Sequence, residues 1–250
     1  MDKISAVVIV YNSQDCLFRC LESLTWTDEI VVVDSYSQDD TKRIASNFTD
    51  KIYDVKWEGF GKKKEFARQK ASFEWILSID CDEVIPPELK SEISKAIKKD
   101  QGCDGFYIPR RSNFLGRWMN HSGWYPDYVL RLFKKTKGRF DQALVHEKVK
   151  VSGRLDYLKN PMLHYTDPDI NSYLSKLDFY TTLSAKQLFQ EKRKVVFWDL
   201  VFHPLGVFFK RFFLKKGFLD GTHGFLLAVL SSFQVFIKYT KLWDLQRIKG

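Results

Sequence analysis

The feature that most constrains this fold is the alternation of short apolar runs with helix-spaced segments at the start of the chain. Ile4–Val10 is an apolar run of strand length. After Tyr11 and Asn12, the segment from Ser13 to Leu24 carries Cys16, Leu17, Cys20, Leu21 and Leu24 at helical spacing, with Ser13 as N-cap. A second apolar run, Glu29–Val33, ends in Asp34 and is followed by a helical pattern through Phe48. Strand, helix, strand, acid, helix is a βαβ unit, and a parallel sheet follows from it. Asp34 then stands at the carboxyl end of the second strand. There an acid hydrogen-bonds ribose hydroxyls or a base edge, or simply caps the next helix. No Gly-x-Gly-x-x-Gly follows the first strand, which argues for a nucleotide fold other than the dinucleotide kind.

A third short strand is predicted at Ile52–Val55, and Gly59-Phe60-Gly61 makes a turn that launches Lys62, Lys63 and Lys64 into a helix running toward Phe73. Cations oppose the dipole at a helix N-terminus unless an anion binds there, and a diphosphate is the natural candidate; a solvated basic turn is the plainer reading. The helix delivers the chain to Trp75–Glu83, where a buried strand breaks off into Asp80, Cys81, Asp82 and Glu83. Crowded carboxylates repel one another. A cation relieves that, and hard oxygen ligands suit Mg²⁺ or Mn²⁺. The alternative is an acidic turn before the helix announced by Pro86-Pro87.

With 250 residues and 44% hydrophobic composition, the chain supports one large domain or one domain with an appendage. Its cysteines, Cys16, Cys20, Cys81 and Cys103, lie too far apart for a disulfide scaffold, and the Cys16/Cys20 pair has no partner at zinc-finger spacing, so reduced helix-face residues are expected. The chain opens directly on the strand-like run without a basic region and cleavage site, which predicts no secretion. A net charge of +9 with 16% aromatic residues suits nucleic acid, an anionic membrane surface or a phosphorylated substrate. The cations fall in a mid-chain loop and an amphipathic tail rather than a recognition element, so no nucleic-acid partner is expected; a basic nucleic-acid-binding protein is the rival from a different class.

Val7-Val8-Ile9-Val10-Tyr11-Asn12, Glu29–Ser35 with Asp39-Asp40-Thr41, Gly61 to Ala67, and Ser78–Glu83, in this order and spacing, resemble the family 2 glycosyltransferases of the GT-A fold. The later Trp124-Tyr125-Pro126-Asp127, Arg131-Leu132-Phe133, Val145-His146-Glu147 and Leu163-His164-Tyr165 resemble the subgroup that adds glucose to heptose in the lipopolysaccharide inner core. The resemblance implies a Rossmann-like nucleotide-binding α/β sheet that binds a UDP-sugar. Tyr11 and Asp34 would hold the uridine, and Lys64 would approach the base or phosphates. Asn12, Lys63 and Cys81 would stand beside them in the nucleotide site. Asp80 and Asp82 would be the Asp-x-Asp acids, and His164 would complete a metal shell with them. Glu65 stands where the family usually has asparagine.

In the second half, Gly105–Pro109 is strand-like and is followed by Arg110, Arg111, Asn113, Arg117 and His121 among Phe114, Trp118 and Trp124. Guanidinium forks and aromatic platforms suit an anionic heptose-containing acceptor, or form an ordinary basic loop. Inverting transfer needs one base for the acceptor hydroxyl. The resemblance gives that role to Asp127, ahead of the strand Tyr128–Phe133. Arg131 would orient Asp127 or touch the acceptor, and Glu147 is the rival base.

After Tyr165 the pattern turns helical: Ile170–Lys194, then Val195–Phe218 mixing large apolar residues with Lys210, Arg211, Lys215 and Lys216, then the uncharged Phe225–Ile237. Thirteen residues are short for a membrane span. An interfacial anchor or a helical hairpin packed on the catalytic domain is expected instead. The domains expected are a catalytic one over 1–168, with a nucleotide-sugar half over 1–103 and an acceptor half over 104–168, and a helical membrane-associating region over 169–250. The function implied is transfer of a hexose from a UDP-sugar to a lipopolysaccharide core heptose, at the cytoplasmic face of the bacterial inner membrane. Polyprenyl phosphate or a surface polysaccharide are the alternative acceptors.

Overall fold

The run Ile4–Val10 (β1) becomes the middle of a parallel group, buried along its whole length. The computed structural model describes residues 3–99, 102–141 and 148–249. The chain forms two compact units, Met1–Arg110 with Tyr128–His164, and Arg111–Asp127 with Tyr165–Gly250. The 111–127 segment, expected with the acceptor half, thus belongs with the helices.

In the first unit, α1 (Gln14–Glu22), β2 (Glu29–Asp34), α2 (Thr41–Ser46), β3 (Ile52–Asp54), α3 (Phe60–Lys70) and β4 (Trp75–Asp80) follow β1. Next along the chain come β5 (Glu83–Val84), α4 (Pro87–Lys98), β6 (Cys103–Phe114), β7 (Arg117–Trp118), β8 (Asp127–Lys134), β9 (Gly138–Phe140), β10 (Val149–Val151), β11 (Arg154–Tyr157) and β12 (Met162–Asp167), of which β7 and the last residues of β6 and β12 belong to the second unit. The strand order is β3-β2-β1-β4-β8-β6-β12-β5, with β11 and β7 also on β6. β3, β2, β1 and β4 are parallel, and β8 joins β4 antiparallel through Leu77 and Leu132. A sheet covered on both faces explains the unbroken apolar runs. Ala6, Val8 and Val10 pack toward Leu17 and Leu21 of α1 and Leu89 and Ile93 of α4. Val7 and Ile9 pack toward Ala67 of α3, with Phe133 and Phe140. Each such side chain contributes about 1.5–3 kcal/mol of burial.

α3 begins at Phe60, directly after Gly59, whose φ of 112° is open to glycine and strained for other residues. Ser13 forms no side-chain cap on α1. Its hydroxyl instead donates to the Tyr11 carbonyl at 3.1 Å and folds the turn after β1.

One buried charge sits at the amino ends of these strands. Glu29 accepts from Ser5 Oγ, from Ser72 N–H and Oγ at 2.7 Å each, and pairs with Lys51. Burial would raise its carboxyl pKa, but the hydrogen bonds from Lys51, Ser5 and Ser72 outweigh it and hold the value at about 2. A depressed carboxyl contributes stability above its unfolded value of about 4.3, and loses it as pH falls toward 2. Glu29→Gln is therefore expected to lower Tm at pH 7, with the gap to wild type closing between about pH 4.5 and 2 in a scanning series.

In the second unit, α5 (Ile170–Gln190), α6 (Phe197–Phe209) with a π-helical turn (Lys210–Leu214), a 3-10 turn (Gly217–Asp220) and α7 (Gly221–Lys249) follow β12. Phe114 and Met119 share a core with Tyr173, Leu177 and Leu227. Asp220 fixes the 111–127 segment, accepting from the backbone N–H of Asn120 at 3.3 Å and of His121 at 2.9 Å. A Cβ on Gly224 would lie 1.8 Å from the Gly217 carbonyl, so only glycine lets α7 start there. The uncharged Phe225–Ile237 is part of a 29-residue helix, and Gly217–Ile248 is long and apolar enough to cross a membrane by length and composition. Leu227, Ala228 and Leu242 of α7 are nonetheless buried, and α7 packs on α5 and α6.

Candidate active site

The carboxyl ends of β1, β2 and β4 bring together what lay far apart in sequence. The strand order reverses between β1 and β4, the kind of switch point at which open sheets bind ligands. Tyr11, 59% exposed, follows β1. Asn12, at φ 45°, donates its N–H to Ser37 Oγ at 2.8 Å and accepts at Oδ1 from Gln38 N–H at 2.9 Å. Asp34 is fully buried and accepts from Ser37 N–H at 3.0 Å and Ser37 Oγ at 2.5 Å. It closes the turn after its own strand rather than the helix α2.

The three lysines of α3 take separate partners. Lys62 pairs with Glu58 at 3.0 Å, Lys63 donates to the Val10 carbonyl at 2.5 Å, and Lys64 lies 2.7 Å from Asp80 Oδ1. Burial pulls Lys63 down to about 8, against the raising effect of Asp34. The chain thus supplies its own counter-charges at this helix start. Glu65 turns to Arg68, at 2.6 and 2.9 Å, and to the Phe140 N–H at 3.1 Å, so its carboxylate serves packing between α3 and β9.

The acid cluster divides. Arg131 reaches from β8 to Asp80 and lies 2.7 Å from Glu83 Oε1, while Glu83 Oε2 accepts from the Asp80 N–H at 2.9 Å. Arg110 approaches Glu83 at 3.5 Å. Burial favours the neutral acid at Asp80, but Arg131 and Lys64 hold its carboxyl well below the usual carboxylate range. Asp82 instead lies 3.4 Å from His164 Nε2. Among the described residues, no three His, Cys, Asp or Glu side chains converge as a ready-made metal cage. Asp82 with His164 offers one hard oxygen donor and one imidazole. That fits a divalent cation which takes its remaining ligands from phosphate and water. Hydrogen bonding to Cys16 and burial push the Cys81 thiol well up, so it stays protonated and packs on the core.

The four expected acceptor residues all have partners within the protein. Arg131 is 7% exposed and its guanidinium is taken by Asp80 and Glu83, so it braces the acid cluster. Trp124 meets Phe114 edge-on at 5.6 Å within the core of the second unit. Arg110 faces Glu83, whereas Arg111 in the second unit binds Asn120 Oδ1 at 2.9 Å and overlies Tyr125. Asp127 opens β8, four positions before Arg131. Glu147 lies outside the described residues. Sequence reasoning undervalued Glu83, which is fully buried. The signal for it was a third acid directly before Val84, Ile85 and Pro86-Pro87.

A family model described as Glycosyl transferase family 2 matches residues 5–151. The lipopolysaccharide core biosynthesis glycosyltransferase LpsC of Rhizobium meliloti is 27% identical over 99% of this chain and 94% of its own. An uncharacterized glycosyltransferase of Rickettsia conorii is 29% identical over 96% of this chain and 90% of its own. Among solved structures, S. aureus TarS 1-349 in complex with UDP-GlcNAc superposes with a TM-score of 0.50 at 16% identity, covering 98% of this chain and 92% of that one. That likeness is one of fold, and the fold is GT-A. Matched by the family model over more than half its length, with acids at the carboxyl ends of β2 and β4, this chain belongs to glycosyl transferase family 2.

Proposed function

We propose that this glycosyltransferase moves a hexose, glucose in our reading, from a UDP-sugar to a heptose of the lipopolysaccharide core with inversion at the anomeric carbon. The observation that carries the donor reading is the divided acid cluster: Asp80 braced by Lys64 and Arg131, Asp82 set beside His164. The acceptor reading is supported by the full-length likeness to a relative named for lipopolysaccharide core biosynthesis. Asp127 takes the proton of the acceptor hydroxyl as its oxygen attacks the anomeric carbon and the diphosphate departs. Mg²⁺ or Mn²⁺, when bound, supplies positive charge against the leaving diphosphate, and Asp82 with His164 would hold it.

A thermal-shift screen of UDP-sugars with and without Mn²⁺ tests the donor. UDP-glucose is expected to raise Tm most, and only with Mn²⁺, since a ligand at 100 times its Kd stabilises by about 2.7 kcal/mol. Asp82→Ala is expected to lose that Mn²⁺-dependent rise without a lower starting Tm, because removing one acid relieves repulsion in the metal-free cluster. An unchanged rise would remove Asp82 from the site. Anomeric NMR of the product made with deacylated core oligosaccharide tests linkage and inversion.

We place the enzyme at the cytoplasmic face of the inner membrane through α6 and the π-helical turn. Trp198, Phe202, Leu205, Phe209 and Phe213 recur every three or four residues and are all exposed. Lys210, Lys215 and Lys216 are exposed on the same stretch, whereas Arg211 turns inward to the Ser122 carbonyl at 3.0 Å. An exposed aromatic face bordered by cations suits an anionic bilayer surface, each lysine adding about 1 kcal/mol. Deleting the tail would expose the core around Leu177 and Leu227, so point changes test this better. Serine at Trp198, Phe202, Phe209 and Phe213 together is expected to shift the protein from anionic vesicles to the supernatant in co-sedimentation, with the helical circular-dichroism signal retained. Continued sedimentation would refute the placement.

A further inference from the structure

Three tyrosines of the first unit share one surface. Tyr107 lies on β6, Tyr157 ends β11 and Tyr128 is the second residue of β8. The Tyr107 and Tyr157 rings stack with centroids 4.8 Å apart and an interplanar angle of 17°, and Tyr128 meets Tyr157 edge-on at 5.1 Å. Even so, Tyr128 is 43% and Tyr157 57% exposed. The arrangement is set by the backbone: Tyr157 stands opposite Tyr107 in the parallel ladder, and the Leu158 N–H donates to the Tyr107 carbonyl at 2.9 Å.

Ring contacts of this kind contribute about 0.5–1.5 kcal/mol to a sheet edge. That accounts for the faces turned toward each other and not for the faces left in water. A fixed aromatic face rimmed by phenolic hydroxyls matches a pyranose, whose axial C–H groups form an apolar face and whose hydroxyls need polar partners. A purely apolar partner would leave the phenols unmatched. Position selects the saccharide. β8 runs antiparallel to β4, so Tyr128 and the preceding Asp127, to which we assign the acceptor proton, both lie toward the carboxyl end of β4 and its acid cluster. Of the aromatics that the sequence suggested as a platform, Phe114, Trp118 and Trp124, Phe114 is fully buried in the core of the second unit and Trp124 packs on that core, whereas Tyr128 and Tyr157 keep large exposed faces.

We propose that Tyr128 and Tyr157, backed by Tyr107, form a stacking subsite for a sugar ring of the acceptor saccharide, next to the ring that is glycosylated. This rests on the reading of Asp127 as the base. Because the strands pre-set the rings, the subsite binds without an ordering cost and acts on acceptor affinity.

The test is steady-state transfer by the full-length enzyme from saturating UDP-glucose to deacylated core oligosaccharide. Tyr157→Ala and Tyr128→Ala are each expected to raise the acceptor KM about tenfold, equivalent to about 1.4 kcal/mol, with kcat within threefold. Tyr157→Phe keeps the ring and is expected to stay within about threefold in KM. Acceptor KM unchanged in both alanine variants, with only Tm lowered, would make the cluster a sheet-edge clasp and overturn the subsite. A collapse of kcat at constant KM would overturn it in favour of a positioning role toward Asp127. Should wild type ignore the core oligosaccharide but modify another saccharide, with the same KM loss in the variants, the subsite stands and the core-acceptor reading falls. Transfer to sugar-less polyprenyl phosphate alone sinks both.

Discussion

Asp127→Asn is expected to abolish sugar transfer while leaving UDP-sugar affinity unchanged. Asparagine keeps the shape and hydrogen-bonding reach of the side chain but cannot accept the acceptor's proton at neutral pH. A general base contributes roughly 10²–10⁴-fold, and the loss belongs in kcat because the donor is bound before that proton moves. Asp127 heads β8, the strand that carries Arg131 to the acid cluster at the end of β4. Single-turnover transfer and calorimetric donor titration read the two halves of this expectation separately. Glu147→Gln is the control. If that change is the severe one and Asp127→Asn stays within a few-fold of wild type, the base is misassigned; if Asp127→Asn weakens donor affinity, Asp127 serves the nucleotide or its metal.

Arg131→Ala is expected to be the most destabilising single change near the site, by about 3–5 kcal/mol, because removing one partner of a buried ion pair leaves uncompensated charge. Arg131 is the common partner of Asp80 and the fully buried Glu83, and Lys64 and the 3.5 Å contact from Arg110 cannot replace it at both. In wild type Asp80 titrates far below the usual carboxylate range, so its contribution is present at neutral pH and fades only as pH falls through that depressed value. Without Arg131 the Asp80 carboxylate protonates more readily, and the Tm gap between variant and wild type should narrow toward pH 4. A single nitrogen, Arg131 Nη2, donates to both carboxylates, so Arg131→Lys, which keeps the charge but must carry its ammonium to the same point, should recover only part of the loss. A variant as stable as wild type at pH 7 would show that the brace is dispensable.

How much of this was legible in the sequence follows from where the partners lie. β1, β2 and β4 were read within a residue, and with them the acids at their carboxyl ends, because strands buried on both faces need continuous apolar residues. β6 was read as Gly105–Pro109 but runs over Cys103–Phe114. Its later half is a polar run, Arg110 to Asn113, with no strand-like apolar pattern, and Pro109 looks like a stop. Arg131 could not be assigned, since a charge inside a strand takes its meaning from a partner 51 residues away in sequence. The contact of Trp124 with Phe114 was not legible, because an aromatic beside arginines looks the same in sequence whatever it packs on. The lysines opening α3 suggested an anion; the counter-charge of Lys62 stands four residues away at Glu58, but that of Lys64, from Asp80, depends on tertiary placement.

The Val10 carbonyl accepts from two sides, from the Ser35 N–H at 3.1 Å and from Lys63 Nζ at 2.5 Å. One oxygen thus ties the ends of β1 and β2 to the first turn of α3, and a bound nucleotide would rest on that junction. Local opening there would unzip two core strands and expose a buried amine together, so the floor of the donor site moves only in the rare excursions that open the whole sheet. Breathing of the enzyme during turnover is left to the segments around that floor, and the ligand's resting place behaves as a rigid anvil.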